Sequence, residues 1–149
     1  MTETAVVTDF SVGDMWDQLP QYTEMANKLG VSILGAYDAA TLYYQQGLKT
    51  NEVMAVSNET LKMARIAGIS YSDAADGMTV AVRAFKMDME DAAHVTDIYS
   101  NVAAKTASDT QDLIEAMSKT ASGAANVGSS FENTTAMIAT MVEATRESP

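Results

Sequence analysis

Apolar side chains return along this chain at helical intervals, and the pattern restarts at regular places. Leu34, Tyr37, Thr41, Tyr44 and Leu48 fall on one stripe, and Val53, Val56, Thr60, Met63 and Ala67 on the next. Ala75, Met78, Val82 and Phe85 follow, then Ala92, Val95, Tyr99 and Val102, then Leu113, Met117, Thr120 and Ala124, and last Thr134, Met137, Ile138 and Met141. A spacing of three and four residues places each set on one face of a helix. Ser32, Thr50, Ser70, Asp88, Ser108 and Ser129 stand before these runs, 18–21 residues apart. Each can accept a bond from the free amides of a first turn. Ser108 with Gln111 and Ser129 with Glu132 read as capping boxes, and Ser70 with Asp73 and Asp88 with Asp91 as weaker ones. Gly30, Gly47, Gly68 and Gly128 fall where a left-handed residue would end the preceding helix.

The pattern predicts an all-α fold: a compact bundle or short irregular solenoid of six to seven short antiparallel helices. Short connections between helices place neighbours side by side. The first helix is expected over about 21–29, after Pro20, with residues 1–20 a partly irregular lead-in and only 5–10 reading as extended. The cap-to-cap spacing of alternate helices approaches that of two-helix repeats, but the one sequence echo is Asp-Ala-Ala at Asp73 and Asp91. Residues 1–149 are read as a single helical domain.

Composition narrows the function classes. The net charge is −11, which opposes binding to nucleic acid or to an anionic membrane. The longest uncharged run, residues 120–131, is too short and too polar to span a bilayer. With no cysteine, disulfides, thiol catalysis and cysteine-based zinc sites are excluded.

Candidate chemistry is sparse. The one histidine, His94, shares a helical face with Glu90 and Asp97. A carboxylate-bridged metal centre uses Glu-x-x-His twice with two further glutamates, and this chain has Glu-x-x-x-His once. The face reads as solvated, with no metal site. Asp73, Asp76, Asp88, Glu90, Asp91 and Asp97 cluster in mid-chain, several in first turns where acids favour the helix dipole. Eleven methionines at helical spacing read mainly as core. No catalytic triad or phosphate loop can be assembled, so no catalytic residue and no cofactor is assigned. The aromatic cluster at Tyr43 and Tyr44, beside Gln45 and Gln46, is the candidate contact site for a partner.

Particular words along the chain go further than pattern. They are Ala26-Asn-Lys-Leu-Gly-Val-Ser32, Leu42-Tyr-Tyr-Gln-Gln-Gly-Leu48, Glu59-Thr-Leu-Lys-Met-Ala-Arg-Ile-Ala-Gly68, Ala84-Phe85, Thr106-Ala-Ser-Asp-Thr110, Phe131-Glu132 and Glu143-Ala-Thr-Arg-Glu-Ser148. In this order and spacing, from about Thr8 to Ser148, they resemble the core region of phage tail tape measure proteins. The resemblance implies that the chain is a piece of a much longer one, and that it is a structural, non-enzymatic module that helps tail assembly and tail-length determination. It implies as partners the tail tube, tail tip or chaperone proteins of a phage, together with self-association, and no nucleic acid or membrane for this segment. It implies a place in the virion tail, and in the bacterial cytoplasm during assembly. Two other readings stand beside it: a generic helical interaction module of solenoid type and, remotely, a metal-dependent enzyme.

Overall fold

The computed structural model describes the backbone of residues 12–146 and the side chains of residues 17–145. Within that range the chain forms seven α-helices and no strand: α1 Val12–Leu29, α2 Ile33–Gln45, α3 Thr50–Ala67, α4 Tyr71–Ala84, α5 Ala92–Lys105, α6 Thr110–Asn126 and α7 Phe131–Arg146. A 3-10 turn, Met89–Asp91, leads into α5. The expected extended run over 5–10 lies outside the described residues.

Helix ends follow the anticipated chemistry, with a one-residue shift at three starts. Ser32 and Ser70 cap α2 and α4, accepting bonds from the amides of Gly35 and Asp73. Thr50 is the first residue of α3 and not its cap; Lys49 holds that place, and its amide donates to the Glu52 carboxylate at 2.8 Å. Lysine has no acceptor to return, so this box is one-sided. At α6 the cap is Asp109, whose carboxylate takes the Asp112 amide at 2.8 Å, and Ser108 is buried behind it. At α7 Ser130 takes the Asn133 amide, while Ser129 bonds to Thr134. Where two cap residues stand in a row, the second caps in both cases. The boxes anticipated at Ser108/Gln111 and Ser129/Glu132 are therefore absent.

Gly30, Gly47, Gly68 and Gly128 all have positive φ, as a left-handed stop requires. After α4 the same turn is made by Lys86, with φ 54°. The Met87 amide closes it onto the Val82 carbonyl at 2.9 Å.

The first helix begins earlier than Pro20 allowed for. α1 carries Pro20 inside it, so residues 12–20 are helical rather than an irregular lead-in. A proline within a helix costs about 3 kcal/mol. Here Pro20 is exposed, on the face opposite Gln18, Tyr22, Met25 and Ala26, which stay buried. Continuous packing of that face holds the helix across the proline.

The seven helices lie in two rows. Each packs against its neighbour in sequence and against the next but one, and these pairs make all the substantial contacts. α1, α3, α5 and α7 form one row, and α2, α4 and α6 the other. This is the connectivity of a short solenoid, where each unit meets only its neighbours.

Glycine sets the spacing of the even row. A Cβ on Gly35 of α2 would lie 2.5 Å from the Tyr71 ring at the start of α4. A Cβ on Gly77 of α4 would lie 2.7 Å from the Ile114 side chain of α6. Both glycines are within helices, unlike the four that end them. Alanines extend the close approach: Ala36, Ala39, Ala40, Ala74, Ala75, Ala81 and Ala121 are all buried.

The stripes are right at their centres and wrong at some edges. Val53, Val56, Thr60, Met63, Met78, Val95, Tyr99, Leu113 and Met117 are fully enclosed. Leu34, however, is 68% exposed, because α2 turns its alanines and Tyr43 inward. On α6 the stripe continues through Ala121 rather than Thr120, and on α7 Met137 and Met141 face outward.

A substitution at the closest approach tests this account. Gly77→Ala gains helix propensity but drives its methyl into a β-branched side chain, so it should destabilise the domain by about 1–3 kcal/mol. Urea unfolding of Gly77→Ala beside Gly77→Ala/Ile114→Val should show the pair recovering part of the loss. An equal loss in both would mean that Ile114 is not what the glycine makes room for.

Candidate functional site

The residues singled out for partner contact divide in two. Tyr43 and Tyr44 are buried and Gln45 is exposed. The Thr60 hydroxyl donates to the Val56 carbonyl at 2.8 Å, so the bond between Tyr43 and Thr60 has the phenol as donor. That relay joins α2 to α3 inside the core. Tyr44 donates to Gln18 Oε1 at 2.7 Å, and Tyr22 reaches the same oxygen at 3.2 Å. One buried amide carbonyl thus serves two phenols and fastens α1 to α2. The Tyr22 ring meets Tyr37 edge-on at 5.9 Å. Burial pushes the Tyr22, Tyr43 and Tyr99 hydroxyls up, out of any range in which they would ionise. Gln46 exchanges hydrogen bonds with Thr79 and ties the α2–α3 turn to α4. Of the four, Gln45 alone is exposed to solvent.

His94 does not pair with Glu90 or Asp97. It meets Glu132 of α7, 38 residues on, at 2.6 Å. Sequence spacing along one helix could not find this partner. The Glu132 carboxyl is held down at about 2, first by that bond, then by backbone amide and Ser130 hydrogen bonds. Nearby, the Glu143 carboxylate takes the Ala107 amide at 3.1 Å. Both acids on α7 therefore reach back to α5 and the turn that follows it. Among the described residues, no three His, Cys, Asp or Glu side chains converge as a metal would need. Two of the mid-chain acids serve helix starts: Asp73 within the Ser70 cap and Asp91 accepting from the Asp88 amide at 3.0 Å.

Open surface grooves run beside Leu19, Pro20 and Thr23 on α1, beside Arg65 and Tyr71 between α3 and α4, and between α6 and α7 at Ala116, Thr120 and Val142. In the second, Arg65 lies across Gly30, where any side chain would collide with its guanidinium. Among the described residues no helix is long and apolar enough to cross a membrane.

Residues 21–149 match the family model described as phage-related minor tail protein. A tape measure protein of Pneumococcus phage Dp-1 is 34% identical over 98 residues, which is 66% of this chain and 8% of that protein. The chain thus spans a small part of the curated relative it matches. No solved structure matches.

Two outcomes are expected. Tyr43→Ala should cost about 3–5 kcal/mol of folding stability, as loss of a large core side chain does, whereas Gln45→Ala should cost close to nothing. Chemical denaturation compares them; equal, small losses would return Tyr43 to the surface. For Glu132, a folded-state pKa below the unfolded value near 4.3 makes the pair stabilising above that value and lost as pH falls toward 2. Since the pair is half exposed, the advantage of wild type over Glu132→Gln should be at most about 1 kcal/mol at pH 5. It should shrink toward pH 2, and an advantage independent of pH would exclude the His94 pairing as its source.

Proposed function

Because the chain belongs to the phage-related minor tail protein family, we propose that it is a structural module of a tail tape measure protein, acting in tail assembly and in setting tail length through protein–protein contacts. The relationship to the Dp-1 tape measure protein carries this reading. In it the segment resides in the virion tail, passes through the bacterial cytoplasm during assembly, and has no catalytic role. Tail tube, tail tip and chaperone proteins of the phage are the partners it would meet. A second reading, a general helical interaction module, draws support from the two-row, neighbour-only packing.

The fold bears on how such a segment could count toward length. Drawn out as one continuous helix, residues 12–146 would span about 200 Å. As a stack with rows spaced about 8–10 Å, four helices of the odd row span roughly 30–40 Å. An in-frame deletion of residues 12–146 in a phage carrying this gene should shorten the tails seen by electron microscopy. A loss near the larger figure means the segment is drawn out in the tail, and one near the smaller means it stays folded. Tails of unchanged length would overturn the length-setting part of the proposal.

A further inference from the structure

The groove between the α1–α2 and α3–α4 turns holds a cation and no acid. Val31, Ala64 and Ile69 give it apolar walls, and Arg65 and Tyr71 stand in it as hydrogen-bond donors. Both donors rest on glycine. A Cβ on Gly30 would collide with the Arg65 guanidinium, and one on Gly35 would lie 2.5 Å from the Tyr71 ring. Ser70, also in the wall, spends its hydroxyl on Asp73 at 2.7 Å. Among the described residues, neither the Arg65 nor the Tyr71 side chain has an ion pair or a hydrogen bond. A chain with twenty acids against nine bases thus leaves this arginine without one. The other described cations differ from it. Lys28 and Lys62 are paired with Glu24 and Glu59, and Lys119 shares its groove with Asp112 and Glu115. Lys49, Arg83, Lys86 and Lys105 line none of the three grooves. A place in the last turn of α3 accounts for a cation, which the helix dipole favours. It does not account for a guanidinium laid over the neighbouring turn among apolar walls.

We infer that this groove docks an acidic segment of a partner protein. The segment places an aspartate or glutamate carboxylate on Arg65 and Tyr71, and an aliphatic neighbour against Val31 and Ile69. Charge complementarity selects the acid. A guanidinium is a planar fork of donors with no acceptor, which a carboxylate matches with two bonds, and the phenol adds a further donor. The walls select a peptide over a free anion, because a small anion leaves Val31, Ala64 and Ile69 uncovered. The groove, at ≈ 450 Å³, has many times the volume of such an ion. It lies between two connections that the chain already contains, so helices added at either end of the stack would leave it open. Elsewhere the net charge of −11 repels the same segment, which confines it to this place. The inference does not rest on the length-setting role, and its test does not read tail length.

Selection from a library of short random peptides on the 149-residue chain should enrich sequences with one acid beside an aliphatic residue. The enriched peptides, made synthetically, should bind Arg65→Gln at least about tenfold more weakly than wild type, since a charge-assisted bond is lost. Tyr71→Phe keeps the ring on Gly35 and should weaken binding by a smaller factor. Replacing the acid of the peptide by its amide should cost about as much as Arg65→Gln, and makes the same test on unaltered protein. In titrations followed by NMR, the amides of Gly30, Val31 and Ile69 should shift. No enrichment, enrichment of peptides without an acid, or binding indifferent to both Arg65→Gln and the amide would overturn the inference. Acetate displacing the peptide at equal concentration would reduce the groove to a small-anion site. A dimer of the chain abolished by Arg65→Gln would give the groove to a second copy. Either of these results also overturns it.

Discussion

The fold depends on how closely the even-row helices approach, and that is decided where glycine leaves room for a large neighbour. Gly35 admits the ring of Tyr71, and Gly77 admits the branched side chain of Ile114. With an ordinary side chain at either place, α4 would stand off from α2 or α6, and the alanines beside each contact would face a gap. Glycine within a helix costs about 1 kcal/mol relative to alanine. That loss is offset by burial of Tyr71 and Ile114 and by the dispersion contacts of the alanine faces around them. A chain poor in aromatic residues can build a core this way, since close approach substitutes for side-chain bulk.

The odd row is held differently, by hydroxyls and rings. Thr96 of α5 reaches the Glu59 carbonyl of α3, and the Phe131 ring packs edge-on against both Tyr99 and Phe85. Phe131, at the very start of α7, is the plug that seats that helix, while Glu132 and Glu143 fix its rotation from the solvent side. Exposed pairs contribute little energy, but two of them about three turns apart define an angle.

Much of this was legible in the sequence, because the signals were local. Ser32 and Ser70 capped as read, the four glycine stops adopted positive φ, and the all-α class followed from the stripes. What failed was information about partners distant in sequence. Nothing along α4 says that Gly77 faces Ile114. Nothing near His94 reveals Glu132. Tyr43 and Tyr44 read as a sticky patch because adjacent tyrosines point about 100° apart on a helix, and one of the two is expected outside. Here a cross-helix relay through Thr60 and a shared Gln18 carbonyl gives both phenols buried partners. Pro20 misled for a related reason: a backbone penalty is visible in sequence, and the packed face that outweighs it is not.

A two-row stack of this kind bears on the tension between a folded segment and a measuring role. In a solenoid, contacts are made only between neighbours, so helices can be removed from an end one at a time without dismantling the rest. α7 loses Phe131 and two carboxylate contacts when it leaves; α1 loses the Gln18–Tyr44 and Tyr22–Tyr44 bonds and the Tyr22–Tyr37 ring contact. A knotted or mixed core would have to yield all at once. Yet the left-handed glycines oppose a single continuous helix, since each such turn reverses the chain and must be rebuilt before the helix runs through. Were the segment drawn out, as the proposed length-setting role would allow, its stack would open from the ends, with helices retained and turns straightened. On that view length is stored in the helices, and the glycine turns decide when it is released.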